Sequence, residues 1–161
     1  LSRIEIKKIN ISNLLATLVD IRSSTINSKI NLLKHSEDIH ILGDENKIAQ
    51  VFDNLIQNAA SFSKENNFIN IRIEKNLENV TITVEDNGPG FSKGSLKKVF
   101  DRFYTDRPKN EKFGNHSGLG LSISKQIVEA HGGSIEALNR INQKNKCLGG
   151  SVKVTFPEVK T

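Results

Sequence analysis

This sequence has no tryptophan and no methionine, and only a single tyrosine and a single cysteine. Cys147 has no partner for a disulfide within the chain, and a reducing compartment fits it. No apolar run approaches the roughly 18 residues a membrane span needs, and no signal peptide opens the chain. Repeats, linkers and any sign of a second domain are missing too. Residues 1–161 are therefore expected to form one domain, long enough to bury one sizeable core. The abrupt opening at Leu1-Ser2-Arg3 reads as a piece cut from a larger protein. What the chain does have is positive charge, a net +5 with a pI of about 9.4. Its lysines are scattered, with no long basic block and few interleaved aromatics, so nucleic acid is the disfavoured partner. Nucleotide phosphates or an acidic partner protein fit the charge better.

The rest of the chain is organised around Glu85-Asp86-Asn87-Gly88-Pro89-Gly90. Residues 80–85 alternate apolar and polar, the pattern of a half-buried strand. By the same parity Asp86 shares the face of Ile82 and Val84, so a carboxylate sits at the inner end of a core strand. Such a group is expensive to bury without a partner. The strand stops at Asn87-Gly88-Pro89-Gly90, where glycine permits backbone conformations and close approaches that side chains forbid. Alone, the stretch reads as a β-turn with a capping aspartate. Asn54 and Asn58 upstream, and Ser117-Gly118-Leu119-Gly120-Leu121 downstream, point to more.

In chain order, residues 4–9 predict an edge strand, and Asn10 to Ser12 offer a cap for a helix over 12–23. Strands are predicted over 26–33 and 40–42. Asp44 is the expected N-cap of a long second helix whose apolar stripe is Ile48, Val51, Phe52, Leu55, Ile56, Ala59 and Phe62. Asn54, Asn58 and Ser61 recur at +4 and +3 and share a second stripe beside it. By itself that stripe reads as solvated surface, although asparagine is a mediocre helix former. Residues 69–74 pair with the strand ending in Asp86 across a turn at 76–79. A short helix is expected near 96–99. Residues 101–117 then form a long polar stretch carrying Arg102, Arg107, Lys109 and Lys112, a length usually tied to function or mobility. Gly118-Leu119-Gly120 leads into a third helix ended by His131-Gly132-Gly133. Glycines at a helix N-terminus leave N–H groups and a positive dipole end for phosphate. Strands follow over 134–138 and 150–156, separated by a polar turn over 139–149. His35 and His40 lack ligand partners at metal spacing, and His131 reads as a helix-end residue. The irregular alternation predicts the α+β class: a two-layer α/β sandwich of a mixed, mostly antiparallel sheet covered on one face by three helices.

Four stretches stand in a definite order: Asp53-Asn54-Leu55-Ile56-Gln57-Asn58-Ala59, Asp86-Asn87-Gly88-Pro89-Gly90, Val99-Phe100-Asp101-Arg102-Phe103 and Ser117-Gly118-Leu119-Gly120-Leu121-Ser122. They resemble the N box, first glycine box, F box and second glycine box of the catalytic ATP-binding domain of sensor histidine kinases. That family shares its Bergerat (GHKL) fold with gyrase, mismatch-repair and heat-shock chaperone ATPases. The resemblance covers nearly the whole chain. More narrowly, residues 58–63, 103–108 and 122–133 look like the ChvG/BvrS-type sensor kinases of alphaproteobacteria.

The resemblance implies that Asp86 accepts a hydrogen bond from the adenine amino group, and that Gly88 and Gly90 let the backbone approach base and ribose. Asn58, assisted by Asn54, would hold Mg²⁺ on the phosphates of ATP; an amide oxygen is a hard, neutral ligand suited to that ion. Residues 101–117 would be the ATP lid, with Arg102 or Arg107 pairing with phosphate oxygens. Ser61, Phe62, Phe103, Tyr104, Ser117, Gly118, Leu119, Gly120 and Leu121 complete the implied nucleotide contacts. In hydrolysing relatives the place of Asn54 is held by a glutamate that activates water. Asparagine cannot act as that base, which favours phosphoryl transfer, with Asn54, Arg102 and Arg107 as the catalytic candidates.

Two departures stand out. The family often has a lysine at the place of Ser61 and a glycine at the place of His116. The phosphoacceptor context His-Glu-x-x-x-Pro is also missing, so autophosphorylation needs a helical hairpin expected upstream of residue 1. The resemblance further implies a response regulator downstream and a homodimeric parent anchored in the inner membrane. This fragment would be its soluble, monomeric, cytoplasmic part. An ATP hydrolase of the same fold and a catalytically silent nucleotide-sensing module are the alternatives.

Overall fold

The computed structural model describes residues 4–33, 38–62, 68–92, 94–101 and 120–159. Its elements are β1 (Lys7–Asn10), α1 (Ile11–Ser23), β2 (Lys29–Leu33), β3 (His40–Gly43), α2 (Glu45–Phe62), β4 (Phe68–Lys75), β5 (Asn79–Asp86), α3 (Gly120–Ala130), β6 (Ser134–Ile141) and β7 (Cys147–Pro157). Five strands form one sheet in the order β2-β4-β5-β7-β6. Only β2 and β4 run parallel; the other pairs are antiparallel. The three helices pack on one face, α2 across β4, β5 and β7, α1 on β2 and α3 on β6. This is the α+β arrangement expected.

The core follows from the strands' period of two. Ile69, Ile71 and Ile73 of β4 and Val80, Ile82 and Val84 of β5 are buried, while their neighbours face the open side. The register aligns them in rows: Ile71, Val84, Val152 and Ala137 in one, Ile73, Ile82, Val154 and Ile135 in the next. Against these rows α2 lays Ile48, Val51, Phe52, Leu55, Ile56 and Ala59, all buried. Phe52 meets Phe156 edge to face at 6.3 Å.

Local chemistry sets the ends of the helices. Asn10 caps α1 by accepting from the Asn13 N–H at 3.1 Å. The Asp44 carboxylate caps α2 by accepting from Lys47 N–H (3.1 Å) and also receives the Glu5 N–H (2.9 Å). These donors hold its pKa below the usual carboxylate range, the Glu5 bond most. At the end of α3, Gly132 sits at φ +75°, with Gly132 N–H bonded to Glu129 O and Gly133 N–H to Val128 O, a left-handed cap that only glycine adopts without strain. His131 is the helix-end residue expected. Its Nδ1 lies 2.7 Å from Ile127 O and so carries the proton, which leaves Nε2 to accept the Asp44 N–H at 3.1 Å.

Several expectations need correction. Residues 4–9 are not an edge strand of the main sheet: β1 covers Lys7–Asn10 and pairs only with β3, in a separate two-stranded ladder. The strand expected over 26–33 begins at Lys29, because Thr25 and Ile26 N–H groups still bond back to Arg22 O at the end of α1. Residues 94–100 are consecutive turns rather than a helix; Val99 N–H reaches Ser95 O, but the pattern does not propagate. The turn expected over 139–149 shrinks to 142–146, since β6 and β7 extend toward each other through a bulge near Ile141.

Candidate active site

Asp86 ends β5 and is 5% exposed. Its Oδ1 accepts two backbone N–H groups, from Gly88 at 2.9 Å and Gly150 at 3.2 Å. Among the described residues Oδ2 accepts none. Burial raises the carboxyl's pKa, opposed by the Gly88 and Gly150 donors and by the charge of Arg140. The carboxylate is thus fixed by one oxygen, and the other remains for a donor that the described residues do not supply.

The loop after Asp86 closes onto α2 and β7. A Cβ on Gly88 would stand 2.2 Å from the Phe62 carbonyl oxygen, so this glycine lets the loop press against the last turn of α2. Gly90 has φ +81°, and a Cβ there would meet Cys147 Sγ at 2.5 Å and Asn139 Oδ1 at 2.7 Å. Both glycines are therefore demanded by the chain's own packing, a role the resemblance did not assign. Phe62 and Phe91 meet edge to face at 6.1 Å, joining the end of α2 to the end of the loop.

Asn58 lies four residues, about one helical turn, before Phe62 on α2, with Asn54 a further turn back. Both are half-buried, at the border of the apolar stripe. Ser61 Oγ donates to the Asn58 carbonyl at 2.7 Å. Asp53 points elsewhere: it takes Arg22 Nε at 2.6 Å and Nη2 at 2.7 Å, a bidentate pair that ties α2 to α1. Gln57 Nε2 adds a third bond to the same carboxylate at 2.8 Å. This pair fixes the rotation of α2, leaving Asn54 about 100° around the helix from Asp53.

Gly120 is the first residue of α3 and Leu121 packs partly buried against the core, so the third helix begins where expected. Val99 is buried, and Lys125 of α3 lies 6.0 Å from the Phe100 ring centroid, linking the F-box-like turns to α3. Arg102, Phe103, Tyr104, Arg107, His116, Ser117, Gly118 and Leu119 lie outside the described residues, as does all of the expected lid except Asp101. Among the described residues no group of His, Cys, Asp and Glu could hold a metal by itself. Magnesium would depend on amide oxygens and on phosphates, which is what Asn58 and Asn54 fit. A polar hollow of about 320 Å³ lined by Glu5, Lys7, Asp44, Glu45 and Asn46 lies at the opposite end of α2 and contains none of these residues.

Sequence reasoning missed four contributors. Gly149 and Gly150 of β7 and Asn139 and Arg140 of β6 all touch the loop that follows Asp86. The only hint in the sequence was the Gly149-Gly150 pair at the head of an apolar strand.

A buried acid at a strand end, a tight glycine loop and a flanking helix with two aligned asparagines are what the fold brings together here. Residues 43–160 match the family described as histidine kinase-, DNA gyrase B- and HSP90-like ATPases, and the chain belongs to that family, as a catalytic ATP-binding domain of the sensor histidine kinase kind. It is 44% identical over 120 residues to the sensor protein ChvG of Agrobacterium fabrum, covering 74% of this chain and 20% of that protein. With ChvG of Rhizobium meliloti it shares 38% over 167 residues, 98% of this chain and 29% of the relative. The chain therefore spans less than a third of these relatives' length. Among solved structures it is similar to the nucleotide-free catalytic domain of histidine kinase ThkA, at 28% identity and a TM-score of 0.80, covering 95% of this chain and 97% of that one. ThkA has also been solved in complex with the response regulator TrrA, where the match has a TM-score of 0.78 and covers 97% of this chain and 42% of that one. No helix among the described residues is long and apolar enough to cross a membrane.

Proposed function

We propose that this domain binds Mg²⁺-ATP and transfers its γ-phosphoryl group to a histidine on a dimerisation domain outside this chain. The observation that carries the reading is Asp86, buried and locked through Oδ1 by Gly88 and Gly150, with no donor to Oδ2 among the described residues. Oδ2 would accept the adenine amino N–H, a donor that guanine lacks at that position. The edge-to-face pair of Phe62 and Phe91 would border the base. Asn58 and Asn54 would ligate Mg²⁺, which neutralises developing charge on the phosphates. The N–H groups at the start of α3, from Gly120 on, would receive phosphate oxygens, with Gly118, two residues earlier in the sequence, and Arg102 or Arg107 as the further phosphate-binding candidates. Asn54 carries no basic group, so it would position rather than deprotonate, which supports transfer over hydrolysis. By analogy with its relatives, the acceptor would be a helical hairpin of the same protein, the parent a membrane-anchored homodimer, and the next partner a response regulator.

The test is a two-part assay. ATP is titrated with and without Mg²⁺, and radiolabelled γ-phosphate is then followed in the presence of a histidine-bearing helical hairpin from a ChvG-type relative. Tight binding only with Mg²⁺, and label on the hairpin without steady phosphate release, is expected. Steady release by the domain alone would identify a hydrolase instead.

A further inference from the structure

We infer that Asn139 and Arg140, neighbours on β6, are positioning residues that fix the direction in which Asp86 presents its second carboxylate oxygen, Oδ2, to the base. The inference rests on the nucleotide reading above and deepens it. Arg140 Nη1 donates to the Asp86 carbonyl oxygen at 2.7 Å, and its Nε lies 3.4 Å from Glu85 Oε2. One guanidinium thus grips the side chain of one residue and the main chain of the next, at the point where β5 ends. Asn139 does the corresponding work at the far end of the loop. Its Oδ1 accepts the Phe91 N–H at 2.7 Å and its Nδ2 donates to the Phe91 carbonyl at 2.8 Å, so one side chain completes a ladder rung that no strand supplies.

The backbones of the same two residues converge on the same target. Asn139 pairs with Gly150, whose N–H bonds Asp86 Oδ1. Arg140 pairs with Gly149, where a Cβ would stand 2.0 Å from the Asp86 carbonyl oxygen. Two adjacent rungs of the β6–β7 ladder therefore hold both ends of the recognition loop and one carboxylate oxygen. Strand alternation sends the two side chains to opposite faces of the sheet, Asn139 toward the buried Phe91 and Arg140 toward Glu85 on the open face, so the loop is bracketed from both sides. An acceptor aimed before the ligand arrives does not have to be ordered by it, and affinity lost to misdirection is lost for the base alone.

The experiment measures binding of ATP, GTP and inorganic triphosphate, each with Mg²⁺, to the wild-type chain and to Arg140→Gln, Asn139→Ala and Arg140→Lys, with circular dichroism confirming that each variant is folded. Arg140→Gln and Asn139→Ala are expected to weaken ATP roughly five- to tenfold, the scale of one ordinary hydrogen bond, and to lower the preference for ATP over GTP. Triphosphate affinity stays unchanged, and Arg140→Lys, which keeps the charge but offers one nitrogen in place of two, recovers only part of the loss. Added to Asp86→Asn, neither substitution weakens ATP further, because the group they aim is already gone. The inference is overturned if all three ligands weaken in parallel, or if only the melting temperature moves while the ATP-to-GTP ratio holds. It also fails alone if wild type binds ATP, Asp86→Asn weakens it, and the β6 variants change nothing. If wild type binds neither ATP nor triphosphate, the nucleotide reading itself is wrong and this inference goes with it.

Discussion

Asp86→Asn is a near-isosteric change that tests recognition and stability in opposite directions. The Gly88 and Gly150 N–H groups demand an acceptor, so the asparagine must keep its Oδ1 in their seat. Its amino group then occupies the place of Oδ2 and presents a donor to the donor of adenine. A hydrogen bond to a charged group is worth about 1.5–3 kcal/mol, so ATP affinity should fall about 10- to 150-fold. Stability should move the other way. Burial raises the pKa of Asp86 in the folded chain above its unfolded value, so the ionised form opposes folding at neutral pH. That penalty fades as pH falls through the raised folded pKa toward the unfolded value of about 4. Asparagine carries no such penalty, so the variant should melt at or above the wild-type temperature at pH 7. The same titration predicts that wild-type ATP affinity declines on acidification, starting above the pH at which an ordinary carboxylate protonates. Calorimetric titration and thermal melting over pH 4–8 measure all of this. Asparagine binding ATP within about twofold of wild type would refute the assignment of Oδ2 to the base, since even a weak hydrogen bond exceeds that difference.

Three further substitutions probe the frame of the site. Gly88→Ala places a methyl 2.2 Å from the Phe62 carbonyl oxygen, and since main chain cannot yield as a flexible side chain does, it should cost about 1–3 kcal/mol and weaken ATP as well; denaturant titration with unchanged stability would contradict the close approach of loop and α2. Phe52→Ala removes a fully buried ring from α2 and its edge-to-face partner Phe156, and should cost about 3–5 kcal/mol by urea unfolding, a large share of the total stability of a domain. Asp44→Asn should flatten the acid limb of the stability curve: the folded pKa is depressed, so the contribution of this carboxylate is present above its unfolded pKa and lost as pH falls below it. A melting temperature that drops equally in both proteins between pH 5 and pH 3 would show that Asp44 is not the group responsible.

The parts of the site that sequence could show are those encoded in short-range periodicity. The alternation of residues 80–86 put Asp86 on the inner face, and the structure buries it there beside Ile82 and Val84. The stripe of α2, its Asp44 cap and the His131-Gly132-Gly133 stop were likewise local patterns. What stayed hidden depends on partners far along the chain. Nothing around Asn139 or Arg140 announces that the groups they hold are the main chain of Phe91 and Asp86, roughly fifty residues earlier. Their polar side chains instead made the end of β6 read as a turn. The bidentate hold of Asp53 on Arg22 was invisible because it joins two helices. The separate β1–β3 ladder was missed for the same reason: four-residue strands carry a pattern but not the identity of their neighbour.

Because the helices among the described residues cover one side of the sheet, substitutions accumulate under two regimes along the same strand. Positions such as Thr81 and Thr83 face outward and can drift among hydrophilic types, while Ile82 between them is confined by α2. Glu85 breaks that rhythm. It lies on the outward side, yet Arg72 and Arg140 hold its two oxygens, and Arg140 is also bonded to the residue that would read the base. Selection for nucleotide choice should therefore leave a mark on the outer surface of the sheet, on the side away from the pocket.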